Sequence, residues 1–288
     1  MTQCFDRIKH DFLLTRLPPQ FRPLIRKWLK AGVVEFGQLQ KSEEGTPQGG
    51  VISPLLANIA LDPIDHLINR ITGIQCIRYA DDVMILSQSK QGIKHALTEI
   101  QDILRKIGPE LNFEKTRVSS PEKGFTFLGF HFIRHTRKSL WVQPDTKRVK
   151  SFLRRLKDLI RTHKQVKTEY LILGMNQRIR GWANYYRFSQ THSSFSRIQH
   201  ILFRWIWRWV LRRHPKKSRT WALRHYYALE PNNKWRLTAN GETLLTPFDI
   251  KRLRYNWRVG NNTKYDSDPA IQEKWRRKRE GGYYTNQT

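Results

Sequence analysis

Asp81 and Asp82 sit at the centre of Ile77-Arg-Tyr-Ala-Asp-Asp-Val-Met-Ile-Leu86, where two apolar, β-rich runs meet. Carboxylates beside such strands are costly to bury unless a cation compensates them. Nucleotidyl transfer has that need: divalent ions about 3.5–4 Å apart, held by carboxylates, activate a 3′-hydroxyl and stabilise the departing pyrophosphate. A plain turn explains the aspartate pair equally well, because aspartate favours turns. A second group of residues suits phosphate. Arg204, Arg208 and Arg212 recur every four residues and so line one helix face. Arginine forks hold phosphates, and exposed aromatics stack on unpaired bases. Trp182, Tyr185, Tyr186, Trp205, Trp207 and Trp209 alternate with the charges of this region. Burial is the other use of such rings, with arginines snorkelling around them, and roughly two-thirds of the tryptophans are expected in the core.

The elements that must position these groups follow from periodicity. Residues 5–31 read as helical, broken at Pro18-Pro19, and 33–41 as a short strand or loop. Gly45-Thr-Pro-Gln-Gly-Gly-Val-Ile-Ser-Pro54 is a turn leading into an apolar helix from Leu55 to about Ile71. Residues 74–79 and 83–88 make a hairpin around Ala80-Asp81-Asp82, and 90–107 an amphipathic helix. Strand-like runs follow near Thr116–Ser119 and Phe125–Arg134. From Thr146 the period is helical, with further helices over 168–187 and 194–213, ended by His214-Pro215. The last 59 residues read as loop-rich and end in Lys274-Trp-Arg-Arg-Lys-Arg279. The expected fold is α+β, with a sheet-and-helix region followed by a helical bundle.

Composition narrows the partners. The chain of 288 residues carries a formal net charge of +29, which points to a polyanion. The charge is uneven: residues 1–145 hold 20 basic and 15 acidic side chains, 146–229 hold 21 and 2, and 230–288 hold 12 and 7. A middle region at +19, with Asp158 and Glu169 as its acids, repels itself without an anionic partner. No apolar run approaches the roughly 18–20 residues that span a bilayer, so a membrane is not the expected partner. The N-terminus lacks a signal-peptide layout. Cys4 and Cys76 form no metal-type pair, which fits a reducing, cytoplasmic compartment, bacterial or organellar.

Several segments resemble the reverse transcriptases, in the family's order. Tyr79-Ala-Asp-Asp82 is similar to their active-site signature. Gly45-Thr-Pro-Gln-Gly-Gly-Val-Ile-Ser-Pro-Leu-Leu-Ala-Asn-Ile59 resembles the segment that contacts nucleotide and template, where glycines let the backbone approach the base pair. Leu111-Asn-Phe-Glu-Lys-Thr116 and Phe125-Thr-Phe-Leu-Gly-Phe130 resemble the motif near the triphosphate and the primer grip. Cys4-Phe-Asp-Arg-Ile-Lys-His10 resembles the end of the first palm motif. Gly181-Trp-Ala-Asn-Tyr-Tyr-Arg187, the helix after Phe195 and Arg213-His-Pro-Lys-Lys-Ser218 resemble the maturase domain of group II intron proteins. That last likeness separates the chain from retron or CRISPR-associated enzymes.

The resemblance implies a partial palm over 1–134 without fingers, a thumb/maturase-type helical domain over 146–229 and a basic segment over 230–288. It implies RNA-directed DNA synthesis with Mg²⁺ at a two-metal site. Asp81 would bind metal and Asp82 support it, Phe5, Gln48 and Gly49 would meet the nucleotide, and Lys115 would assist the leaving pyrophosphate. Arg187, Arg204, Arg208, Arg212, Arg213, Lys216 and Lys217 would hold intron RNA. RNA template and DNA primer are the implied substrates. Leu244-Leu-Thr-Pro247 to Arg258 resembles a DNA-binding segment, making target DNA a candidate partner; the cysteine pairs of a nuclease module are not in this sequence. The family's other palm aspartate lies five residues before the aromatic at Phe5, which places it just ahead of Met1. The metal site is therefore expected to be incomplete in this chain and its synthesis impaired, with non-catalytic RNA binding in splicing as the alternative. Asp6 and His10 are expected to serve as a helix cap and a packed polar residue.

Overall fold

The computed structural model describes residues 5–35, 38–40, 44–46, 50–136, 139–231 and 235–253, with isolated positions at 269, 273 and 276. Gln48 and Gly49 lie outside the described residues, as does most of the expected basic tail. The chain divides into two compact units, Met1–Val118 and Ser119–Thr288.

In the first unit, Pro18 and Pro19 separate α1 (His10–Arg16) from α2 (Arg22–Lys30) through a single 3₁₀ turn. An antiparallel pair, β1 (Val33–Glu35) and β2 (Gln38–Gln40), follows. α3 (Ser53–Ile68) starts with Pro54 in its first turn, where a missing N–H costs nothing. β3 (Ile74–Tyr79) and β4 (Asp82–Ser87) form the expected hairpin. α4 (Lys90–Ile107) is capped by Ser89, whose hydroxyl accepts from the Gly92 N–H at 3.0 Å, and ends at Gly108. α3 and α4 turn their apolar faces, Leu56, Ala60, Ile64 and Ile68 against Ala96, Ile100, Ile103 and Ile107, into one core with Ile8, Leu13 and Ile25. The strand expected at Thr116–Ser119 is absent: these residues are exposed and pair with no ladder. Asp6 caps no helix, because Lys9 occupies the N-cap of α1. His10 is packed as expected, its Nε2 lying 2.7 Å from the Gly45 carbonyl.

The second unit opens with an antiparallel sheet of β5 (Phe125–Phe127), β6 (Phe130–Thr136) and β7 (Ser139–Pro144). The single strand expected over Phe125–Arg134 is thus two strands, split by Leu128 and Gly129 at φ 50° and 79°. α5 (Thr146–Thr162), α6 (Thr168–Tyr186) and α7 (His192–Arg213) then bury Phe152, Leu156, Ile172, Ile179, Phe195 and Ile206 in a common core. Trp209 Nε1 donates to the His163 carbonyl and Arg213 to that of Val166. Lys157 lies 5.9 Å over the Trp205 ring. These contacts climb together along both helices, so α5 and α7 run parallel and pack directly, while α6 runs back antiparallel along α5.

Residues 215–231 and 235–253 hold more regular structure than a loop-rich composition suggests. α8 (Arg219–Tyr226) is capped by Ser218 and leads into β8 (Tyr227–Leu229), β9 (Trp235–Ala239) and β10 (Glu242–Thr243). Asn176, buried on α6, donates to the Thr243 carbonyl at 2.9 Å and accepts from the Leu245 N–H at 2.8 Å. One side chain thereby stitches this sheet to the bundle. Arg236 grips both oxygens of Asp249 at 2.5 and 2.6 Å and also meets Glu230 at 3.0 Å. Burial by itself raises the Asp249 pKa, but the bond from Arg236 and that from the Thr246 N–H outweigh it and hold the carboxyl below its usual range. The pair's contribution is therefore full at neutral pH and fades as pH falls through the lowered folded value. Acid melts should show Asp249→Asn with a flatter loss of stability below the usual carboxylate range than the parent; parallel curves would contradict this linkage.

Candidate functional site

The aspartate pair owes its position to a two-residue turn. Tyr79 pairs with Asp82 across the ladder, leaving Ala80 and Asp81 at the tip. Ala80 takes φ 52°, a left-handed conformation that alanine adopts at a cost of about 1–3 kcal/mol and only where its surroundings enforce it. The enforcing group is Arg78. Its side chain is 8% exposed; the guanidinium is bidentate to Asp65 at 2.6–3.2 Å, and its Nη1 donates to Asn58 Oδ1 at 3.0 Å and to the Ala80 carbonyl at 3.1 Å. Asn58 and Asp65 lie two turns apart on α3, so the hairpin tip is locked to that helix. Asn69 holds β3 nearer its start, accepting from the Cys76 N–H at 2.7 Å and donating to the Cys76 carbonyl at 3.2 Å. Burial and then the Asp65 charge push the Cys76 thiol up to about 11, so it stays protonated and serves as core.

The structure brings Phe5 to Asp81. Both line a small pocket with Ala80, Pro54, Ala57, Asn58 and Leu61. Phe5 is held there by backbone bonds: its carbonyl accepts from Thr46 N at 2.6 Å, Ile8 O from Gly45 N at 2.8 Å, and Ile107 O from Lys9 N at 2.8 Å. The fit on either side is tight. A Cβ on Gly45 would lie 2.6 Å from the Asp6 carbonyl oxygen, and one on Gly108 would lie 1.9 Å from that of Arg7. Asp82 is exposed beside the tip. Lys115 is exposed on a turn closed by Asn112 and does not line the Phe5–Asp81 pocket. Among the described residues no group of three or more His, Cys, Asp or Glu gathers as a metal cluster. Two adjacent carboxylates still suit a hard cation such as Mg²⁺, which is commonly bound by one or two carboxylates with water and substrate phosphates.

A connection that periodicity does not reveal joins two of the motifs. Tyr185 donates its hydroxyl to the Leu128 carbonyl at 2.7 Å, and Tyr186 to that of Gly129 at 3.3 Å. Phe130 stacks on Tyr185 at 5.3 Å and meets Tyr186 edge-on at 5.0 Å. The turn of Phe125–Phe130 is thus held by the end of α6. A Cβ at Gly129 would come within 3.0 Å of the Tyr186 hydroxyl, which helps explain why glycine stands there.

On the bundle, Arg204, Arg208 and Arg212 are exposed on α7, and no acid pairs with them among the described residues. His200, four residues before Arg204, and Arg197, seven before it, are also exposed and extend the same stripe by about two turns. α5 contributes a parallel stripe, with Lys150, Arg154, Lys157 and Arg161 exposed on the flank where Lys157 meets Trp205. The expected set divides in its surroundings. Arg213 is turned inward, bonded to the Val166 carbonyl at 2.5 Å and lying 4.5 Å over Trp209. Arg187 is half-buried against Phe188, its Nε without a partner among the described residues. Lys216 is exposed, and Lys217 sits 5.5 Å over Trp221. Of the described tryptophans, Trp182 and Trp209 are buried, Trp205, Trp207 and Trp221 pack on the core with one side open, and Trp28, Trp141 and Trp235 are exposed, so fewer are fully buried than expected. No helix among the described residues is long and apolar enough to cross a membrane.

Residues 1–132 match the family model described as reverse transcriptase (RNA-dependent DNA polymerase), and 149–227 match that of the group II intron, maturase-specific domain. Curated relatives agree. The chain is 29% identical over 173 residues to Protein YkfC of Escherichia coli, covering 46% of this chain and 45% of that protein. It is 28% identical over 162 residues to the Group II intron-encoded protein LtrA of Lactococcus lactis, covering 54% and 25%. With Maturase-like protein 1 of Euglena gracilis it shares 24% over 197 residues, covering 66% and 40%. The chain thus spans less than half the length of each of these relatives. With the two domain types in this order and relatives of this kind, the chain belongs to the group II intron-encoded reverse transcriptase/maturase family.

Proposed function

We propose that this chain is part of a protein that copies RNA into DNA and also holds group II intron RNA during splicing. The observation that carries the first half is the hairpin tip, where Arg78 locks Ala80 and presents Asp81 in one pocket with Phe5. In this reading residues 1–134 act as the palm, and Asp81 binds Mg²⁺ of a two-metal site with support from Asp82. When bound, the ions supply charge neutralisation at the reacting phosphates. The remaining work is done by the chain's own groups. Phe5 lies against the incoming sugar and disfavours a 2′-hydroxyl, Gln48 and Gly49 meet the nucleotide, and Lys115 neutralises or protonates the departing pyrophosphate. RNA template, DNA primer and deoxynucleotides are the substrates, and target DNA meets the segment after residue 230.

The second half rests on the bundle. A +19 region whose exposed arginines lack acidic partners among the described residues suits intron RNA, with 146–229 as the thumb/maturase domain. The full-length protein should extend a DNA primer on an RNA template, and a chelator should abolish extension. RNA-independent or chelator-resistant synthesis would overturn the polymerase reading, and tight intron RNA binding without any extension would leave the splicing role alone. The joint change Arg204→Ala, Arg208→Ala, Arg212→Ala should weaken RNA binding and make its log–log salt slope shallower by about 2–3. An unchanged slope would remove these arginines from the interface.

A further inference from the structure

α7 carries a second surface beside its arginines. Phe203 and Trp207 lie one turn apart with their rings 6.4 Å between centroids and within 4° of parallel. Phe203 is 47% exposed, and Trp207 is open on one side. Tyr227 of β8 meets both rings edge-on, at 6.2 and 5.8 Å, and braces their planes from beneath. Tyr227 itself is 6% exposed, and its buried hydroxyl has no hydrogen-bond partner among the described residues. Along β8, Leu229 shares the face of Tyr227 because side chains alternate, and it pairs across the ladder with Trp235. Leu229 and Trp235 are 53% and 42% exposed, so apolar side chains also stand open at that end of the ladder.

We propose that Phe203 and Trp207, flanked by Arg204 and Arg208, form a stacking platform for unpaired nucleotides, so that this face of the bundle takes RNA in single-stranded form. The inference rests on the RNA-binding reading above and adds the form of RNA and the place. Charge decides the occupant. Arg204 and Arg208 follow Phe203 and Trp207 in sequence and so sit about 100° round the helix from them. No ion pair engages them among the described residues, in a region of 21 basic and 2 acidic side chains. Rings beside open guanidinium groups suit a strand whose bases stack while its phosphates are held. A duplex keeps its base faces inside the stack and gains nothing from the rings.

The test is a titration of the full chain with a single-stranded oligouridylate and, separately, an RNA duplex, followed by tryptophan fluorescence and anisotropy. The double change Phe203→Ala, Trp207→Ala should weaken oligouridylate binding about ten- to hundredfold with little change for the duplex. Its salt slope should match the parent's, whereas Arg204→Ala, Arg208→Ala should flatten it. Trp207→Phe, which keeps a ring, should retain most of the affinity, and Phe203→Ala alone guards against misfolding of the double variant. Equal losses on both RNAs, or no loss on either, would overturn the platform while leaving RNA binding intact. A parent chain that binds neither RNA would overturn both the platform and the RNA reading. Loss of self-association with RNA affinity unmoved would assign the surface to protein contact and overturn the proposal.

Discussion

Asp81→Asn in the full-length protein slows deoxynucleotide addition by at least about 10³-fold, some 4 kcal/mol of barrier, if the hairpin tip holds a catalytic cation. The size follows from place as much as charge. Asp81 is partly enclosed and shares its pocket with Phe5, so an amide there removes a negative ligand from the side facing the substrate. Asp82 is exposed and starts the ladder opposite Tyr79, and Asp82→Asn should cost much less, about tenfold. Single-turnover extension at saturating metal measures both, and RNA affinity should be unmoved in either variant. An Asp81→Asn protein as fast as its parent would take Asp81 out of the reaction and return the pair to a turn.

Removing Arg78 should be the largest stability change at this site. Arg78→Ala leaves Asp65 without its bidentate partner and frees both Asn58 and the Ala80 carbonyl. A fully buried pair broken on one side costs about 3–5 kcal/mol; Asp65 keeps 34% exposure, which lowers the expectation to about 2–3 kcal/mol. Urea melts would measure it. Asp65→Asn should lose a similar amount, and the double variant should fall well short of the sum, since each single change already breaks the same clamp. Extension should slow as well, because the strained turn loses the bond that enforces it. A melt unmoved by Arg78→Ala would show that α3 and the hairpin hold together without this clamp.

Local pattern carried much of the fold. The boundaries of α4 and of the Ile74–Ser87 hairpin follow from period and turn chemistry, which act over a few residues. What escaped depends on distant partners or on signals passed over. β7 is a six-residue run made a strand by its ladder with β6. Thr116–Ser119 has strand-like composition and no partner, so it stays out of any sheet. β9 and β10 fall in the stretch expected to be loop-rich, although Asn240-Gly241, at φ 48° and 80°, is the Asn-Gly pair that signals a two-residue hairpin turn. α8 had its own signal in Ser218, whose hydroxyl caps the Trp221 N–H at 3.1 Å. At the candidate site the same divide holds. The aspartates announce themselves because they are adjacent. Arg78 reaches Asp65 thirteen residues away and Tyr185 reaches Leu128 across 57, and nothing in the intervening sequence fixes those distances.

Gly45 and Gly108 clasp the strip of backbone that carries Phe5, one from each side. The closeness of that clasp restricts what the gene can change. Both glycines hold positive φ, at 82° and 121°, so any other amino acid would meet backbone strain and a carbonyl oxygen at once. The atoms in the way belong to the main chain of Asp6 and Arg7, so changing those two side chains opens no room. Second-site suppression is therefore closed to these positions in a way that it is not for the side chains around them. In a library with every codon randomised, 45 and 108 should return glycine codons alone, while the neighbouring Asp6 and Arg7 drift.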